Sequence, residues 1–232
     1  MAENRFSIEL LARTALSSRV HLLRFAAHGA FRWAAGQHLI VVGKKGQELF
    51  LPYSFASAHD PAHPGRFELA VAFRAGADAM DELELGDKLE AEGPFGQLAW
   101  QAEPRPAALL VGVGTGIAPL RALVQAELAR PASRTRVLLL AGHRALDDVI
   151  FRDDFERLAR EHSRFHFIPT LTLGGPEWSG KRGRVQAQLI EAVSALGSCD
   201  AYVCGRLDMV TDVCETLVAH GVPAERVRSE GY

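Results

Sequence analysis

Residues 107–120, AALLVGVGTGIAPL, constrain the fold more than any other stretch of this chain. A continuous apolar run without alternation is the pattern of a strand buried on both faces. It runs into Gly112-Val-Gly114-Thr-Gly116, and a helical pattern begins at about Pro119. Glycines permit a tight turn and a close backbone approach. A helix N-terminus offers unpaired N–H groups and a favourable dipole to an anion. Proline near the first helical turn costs nothing, because its missing N–H would be unpaired there. The stretch therefore reads as a phosphate-binding strand–loop–helix suited to a nucleotide, with a plain tight turn as the alternative. The spacing is not GxGxxG, and no clear ribose-binding acid follows about 20 residues later.

The chain changes character near residue 104. Before it, short alternating segments (RFSIELLART, VHLLRF, HLIVVG, RFELAVAF, DKLEAEG) are separated by Gly36, Gly43, Gly46, Gly65 and Gly86, a spacing that predicts an antiparallel barrel or sandwich. One helix is expected over 77–85 (ADAMDELEL). Residues 101–106 (QAEPRP) read as a linker, since both prolines oppose helix and central strand. After it, apolar runs (AALLVGVG, RVLLLAG, FHFIPTLT, AYVCG) alternate with helical patterns (PLRALVQAELA, DDVIFRDDFERLAREH, RVQAQLIEAVSAL, MVTDVCETLVAHG). That alternation predicts right-handed βαβ units around a parallel sheet. The expected fold is β plus α/β: a β domain over 1–103 and an α/β domain over 104–232.

Composition narrows the function. A length of 232 residues suits two domains, and 48% hydrophobic with 23% charged residues is an ordinary globular balance. A net charge of -2 gives no sign of nucleic-acid binding. No apolar run approaches the ~20 residues that span a bilayer, and the start has no signal-peptide pattern. Cys199, Cys204 and Cys214 lack zinc or iron–sulfur spacing and read as free thiols in a reducing compartment, which points to the cytoplasm. No histidine pairs with another at a metal-ligand spacing near a carboxylate, and His59 and His63 fall in a proline-rich surface loop.

Seven motifs resemble those of the ferredoxin–NADP reductase family and follow its order along the chain. GVGTGIAP is similar to its GGGTGIAP nucleotide loop. Ala35-Gly36-Gln37-His38 resembles its GQ turn, and Leu51-Pro52-Tyr53-Ser54-Phe55-Ala56-Ser57 its RxYSxAS flavin motif. Leu85-Gly86-Asp87 and Gly93-Pro94-Phe95-Gly96 resemble its Gly-Asp and Gly-Pro-x-Gly turns. Cys204-Gly205-Arg206 with Met209 resembles its Cys-Gly-x-x-x-Met segment, and the end Glu230-Gly231-Tyr232 its plant-type Glu-x-Tyr. The resemblance spans residue 6 to the last. It implies a six-stranded antiparallel β-barrel that binds FAD, then a Rossmann-like α/β domain that binds NADP, or NAD.

It also implies roles. Tyr53 would pack on one face of the flavin, Ser54 would hydrogen-bond near its N5, and Tyr232 would stack on the other face as a gate. Cys204 and Glu230 would lie beside the nicotinamide contact. Gly114, Thr115 and Gly116 would cradle phosphates, with Gly205 and Arg206 nearby. Thr170 would help seat the nicotinamide, and Arg144 would meet a 2′-phosphate, which tilts the donor toward NADPH. From the residues alone, Tyr53 also fits a barrel-core tyrosine and Cys204 a small buried strand-end residue. Tyr232 also fits a frayed tail, and Arg144, Lys181 and Arg182 fit solvated surface cations.

Two positions depart from the family. Leu51 stands where an arginine pairs with the flavin diphosphate, a contact worth roughly 1.5–3 kcal/mol. Ala79, in Gly76-Ala77-Asp78-Ala79, stands where a serine helps hold it. Pro52 lies within the motif, and Arg74 is positioned in sequence to supply the missing charge. The leading expectation is a reductase carrying hydride from NAD(P)H to FAD and electrons to a separate protein, a ferredoxin or an oxygenase component. The alternatives are a flavin reductase that releases reduced flavin, or a nucleotide-binding subunit that has lost its flavin site.

Overall fold

The computed structural model describes residues 5–29, 31–44, 46–73 and 79–232. Six strands fill the first half: β1 (Arg5–Ala15), β2 (Val20–Ala27), β3 (His38–Lys44), β4 (Gln47–Ser54), β5 (Arg66–Ala72) and β6 (Lys88–Phe95). They form an antiparallel sheet in the order β4-β3-β6-β1-β2-β5. A bridge between Phe55 and Leu69 ties the end of β4 to β5, so the sheet curls into a barrel. Alternation sorts the faces. Ile8, Leu10, Leu23, Phe25, Leu39, Val41, Phe67, Leu69, Leu89 and Ala91 point inward and are buried. An aromatic group of Phe31, Trp33, Phe55 and Phe67 packs one end, with ring centroids 5.0–6.0 Å apart.

The second half is a parallel sheet layered with helices. Its elements are β7 (Ala107–Val113), α1 (Ile117–Leu128), β8 (Arg136–His143), α2 (Arg152–Glu161), β9 (Phe165–Leu171), β10 (Lys181–Arg182), α3 (Leu189–Leu196), β11 (Cys199–Gly205), α4 (Leu207–Ala219) and β12 (Val227–Gly231). The order is β10-β9-β8-β7-β11-β12. Residues 107–112 of β7 are all buried, as an unalternated apolar run requires of a central strand. The chain leaves β7 toward β8 and later returns to its other side as β11. The strand order thus reverses beside the glycine loop, the place where open α/β sheets bind ligands.

The expected architecture is the observed one, and several elements differ in detail. The described part of the expected 77–85 helix, residues 79–85, holds turns and no helix. Arg13 explains this. Its guanidinium binds the carbonyls of Met80 at 3.3 Å and Leu83 at 2.8 Å, so those oxygens turn toward β1. Met80 and Leu83 meanwhile sink into the barrel core. The helix expected from 147 starts only at Arg152, because Val149, Ile150 and Phe151 are buried and Phe151 is left-handed at φ 59. Strands β4 and β12 lacked a clear alternating signal.

Residues 101–106 are held against the second sheet. The N–H of Gln101 donates to the buried Tyr202 hydroxyl at 3.0 Å, and that of Arg105 to buried Asp200 at 2.8 Å. Ala56, Ala70 and Leu98 from the barrel join one apolar cluster with Leu120, Leu123 and Val124 of α1.

Candidate active site

The glycine loop forms a single tight turn, Gly114–Gly116, that leads straight into α1. Gly116 is required there, since a Cβ would run into the Cys204 carbonyl on β11. The N–H of Gly116 donates to the Tyr232 hydroxyl oxygen at 3.0 Å, and the Thr115 hydroxyl donates to the same oxygen at 3.1 Å. The Tyr232 hydroxyl in turn donates to the Val113 carbonyl at 3.3 Å. The last side chain of the chain therefore occupies the donors that the loop offers to an anion. Its backbone is anchored: the Tyr232 N–H donates to Gly205, and its carbonyl accepts from Leu207. The ring itself is largely exposed. The tail is an ordered extension of β12, and not frayed.

β12 pairs with β11 so that Glu230 lies opposite Cys204 and Gly231 opposite Gly205. Cys204 is buried, and its thiol is pushed up by desolvation first and by the Glu230 charge second, so it is neutral at physiological pH. The Glu230 carboxylate reaches across to the barrel, 3.3 Å from Nδ1 of His38 on β3. His38 in turn lies opposite Ser54 on β4. Gly96, at φ 94, makes room for this pair: a Cβ there would lie 2.9 Å from His38 Nδ1 and 3.2 Å from Glu230 Oε2. Nδ1 is buried and close enough to Glu230 for an ion pair, yet out of line for a hydrogen bond. A buried polar atom left without an aligned partner marks a seam that a further group completes.

Four strands thus bring Ser54, His38, Glu230 and Cys204 to one seam between barrel and parallel sheet, with Tyr232 two residues beyond Glu230. Leu51 and Tyr53 sit two positions apart on the face of β4 that packs against the barrel core, while Pro52 between them is exposed. Leu51 therefore lies on apolar contacts. The Lys44 ammonium donates to the Ala79 carbonyl at 3.1 Å, which puts a cation at the position where the resemblance expects a serine. Arg74 and Gly76 lie outside the described residues.

The remaining candidates are more scattered. Thr170 is fully buried and its hydroxyl donates to the Gly183 carbonyl at 2.9 Å, so it ties β9 to the turn after β10. Arg144 is exposed just past the end of β8. Arg206 is exposed and pairs with Asp208 at 2.8 Å. Lys181 pairs with Glu191, and Arg182 folds back onto the carbonyls of Gly175 and Trp178. His38 was not among the expected site residues. Its only signal is its place directly after the Gly36-Gln37 turn.

Comparison with known proteins follows the same division. Residues 7–100 match the family model described as an oxidoreductase FAD-binding domain, and residues 110–215 that described as an oxidoreductase NAD-binding domain. Ferredoxin–NADP reductase B of Sorangium cellulosum is 37% identical over 240 aligned residues, covering 98% of this chain and 97% of its own. NADH-cytochrome b5 reductase 2 of Yarrowia lipolytica is 30% identical, covering 71% of this chain and 58% of its own. Among solved structures, the Amycolatopsis cytochrome P450 reductase GcoB superimposes with a TM-score of 0.85 at 26% identity, over 98% of this chain and 69% of its own. A ferredoxin NADP+ reductase from Neisseria gonorrhoeae, solved with bound FAD and NADP, superimposes at 0.81 with 19% identity over 98% of both chains, a likeness of fold.

Proposed function

We propose, because this chain belongs to the ferredoxin–NADP reductase family of FAD- and NAD(P)H-dependent oxidoreductases, that it passes electrons to a separate acceptor protein of the ferredoxin class. The observation that carries this reading is the seam itself. Ser54, His38, Glu230 and Cys204 converge from four strands of two sheets, beside a glycine loop whose donors face outward to Tyr232. A nucleotide-binding subunit without a flavin has no use for that convergence. The relative from Sorangium, matched over nearly its full length, supports the ferredoxin class of acceptor.

When bound, FAD would supply the hydride and electron chemistry between NAD(P)H and the acceptor. The chain's residues supply alignment. Tyr53 offers ring area for the flavin, and Ser54 a hydroxyl beside it. Lys44, whose ammonium lies on the Ala79 carbonyl, would supply positive charge for the diphosphate. Glu230 and His38, 3.3 Å apart, bring a carboxylate and an imidazole to the edge of the seam. Cys204, kept neutral by burial, adds apolar bulk without adding charge. Gly114, Thr115 and Gly116 bind the nucleotide once Tyr232 has turned away. Arg144, exposed past β8, would meet a 2′-phosphate, a reading that favours NADPH.

Leu51 favours a second reading, in which flavin is held weakly and leaves once reduced. One preparation separates the two. The protein purified without added cofactor is expected to carry flavin absorption that bleaches anaerobically with NADPH and, less efficiently, with NADH. A ferredoxin then reoxidises the bound flavin. Bleaching followed by loss of the flavin on gel filtration supports the second reading. A colourless protein that gains no flavin bands on incubation with FAD overturns both.

A further inference from the structure

Arg121 lies one turn into α1, the helix that begins on the glycine loop. Its side chain is 11% exposed. Nη1 donates to the Ala56 carbonyl at 2.7 Å and to Glu68 at 2.8 Å, and Nε donates to Asp154 at 2.7 Å. Ala56 stands two residues after Ser54. One turn further along α1, the Gln125 side-chain oxygen accepts the N–H of Ala58 at 3.0 Å. The helix carrying the nucleotide loop at its start therefore grips, at two successive turns, the segment that continues directly from Tyr53 and Ser54.

Two features make this grip stiff. The guanidinium stacks on Phe151, 4.6 Å from the ring centroid. Phe151 is buried and is the one non-glycine residue with positive φ among those described. The charges around Arg121 also interlock, three arginines against the carboxylates of Glu68, Asp154 and, through Arg157, Glu161. Glu68 is shared with Arg24 at 2.8 Å and Asp154 with Arg157 at 2.5 Å. A buried ion cluster is seldom a better source of stability than apolar packing of the same volume, but it fixes geometry because only one arrangement satisfies every partner.

We propose that Arg121 is a positioning residue for hydride transfer. By bonding Ala56 from a helix rooted in Gly114–Gly116, it sets the distance and angle between the nucleotide loop and the Tyr53–Ser54 segment. It touches neither reactant. The two-electron step itself is unchanged: hydride passes from NAD(P)H to FAD, leaving NAD(P)+ and reduced flavin. The inference rests on FAD lying at Tyr53–Ser54 and NAD(P)H at the glycine loop.

Displacement of reacting groups by about 1 Å can cost on the order of a hundredfold in rate. Arg121→Lys keeps the charge but not the planar fork that serves three acceptors at once. The triple change Arg121→Met, Glu68→Gln, Asp154→Asn removes the arginine without leaving buried carboxylates unpaired. The expected result for both is a protein that retains FAD, binds NADP+ within about twofold of wild type, and reduces its flavin in anaerobic stopped-flow at least tenfold more slowly. The deuterium isotope effect on that step is then more fully expressed. Wild-type reduction rates in a folded Arg121→Lys protein, or losses that only track lost FAD or NADP+ binding, overturn the proposal. Should the triple variant not fold, the lysine variant alone decides. Failure of the wild-type protein to be reduced by NAD(P)H would instead overturn the placement of the two cofactors.

Discussion

The phenolic oxygen of Tyr232 lies 3.0 Å from the backbone nitrogen of Gly116 and accepts its hydrogen. A nucleotide that uses the glycine loop must displace this oxygen, and with it the bonds to Thr115 and Val113. Each such bond contributes about 1 kcal/mol net, partly regained from water. Tyr232→Phe keeps the ring and removes the competitor. NADP+ affinity is therefore expected to tighten about three- to tenfold, read by equilibrium titration of the oxidised protein. An unchanged Kd would show that the hydroxyl does not compete with the nucleotide.

Leu51 packs on apolar neighbours where the family carries a phosphate-binding charge. If flavin is held weakly, Leu51→Arg adds a charge-assisted contact worth roughly 1.5–3 kcal/mol. FAD affinity should then rise at least tenfold, measured by quenching of flavin fluorescence. Equal affinities in the two proteins would mean that Lys44 or other donors already supply the charge, and would remove the case for flavin exchange.

His143 ends β8 and is buried, and desolvation pushes its imidazole down to about 4 from an ordinary 6.5, against a smaller opposing pull from Asp148. Between those values the unfolded chain binds a proton that the folded chain does not. Stability therefore falls as pH drops from about 6.5 to about 4, and the loss saturates below that, when both states are protonated. The loss amounts to about 3 kcal/mol at most. Urea unfolding midpoints at pH 7 and pH 4.5 should differ more in the wild type than in His143→Leu. Equal differences in the two would assign the acid sensitivity to other groups.

Much of this molecule is written locally. The change from period-two segments to strand–helix alternation near residue 104 reports a barrel followed by a parallel sheet, because periodicity states which faces must be buried. The glycine loop was equally legible as a buried strand running through glycines into a helix, although the steric demand on Gly116 comes from the neighbouring strand β11. The 79–85 segment was misread for a physical reason. Its composition suits a helix, but Arg13, far away in sequence, takes two of its carbonyls, and the barrel core takes Met80 and Leu83.

The sequence by itself determined the two sheets, the loop between β7 and α1, and the flavin and nucleotide motifs that identify the family. Only the tertiary structure decided that Glu230 meets His38, that Tyr232 closes on Gly116, and that Arg121 holds Ala56. Those contacts join residues whose local patterns are silent about one another. They depend on sheet order, on the curl of the barrel and on how one sheet docks against the other, and these are set by the packing of the whole core.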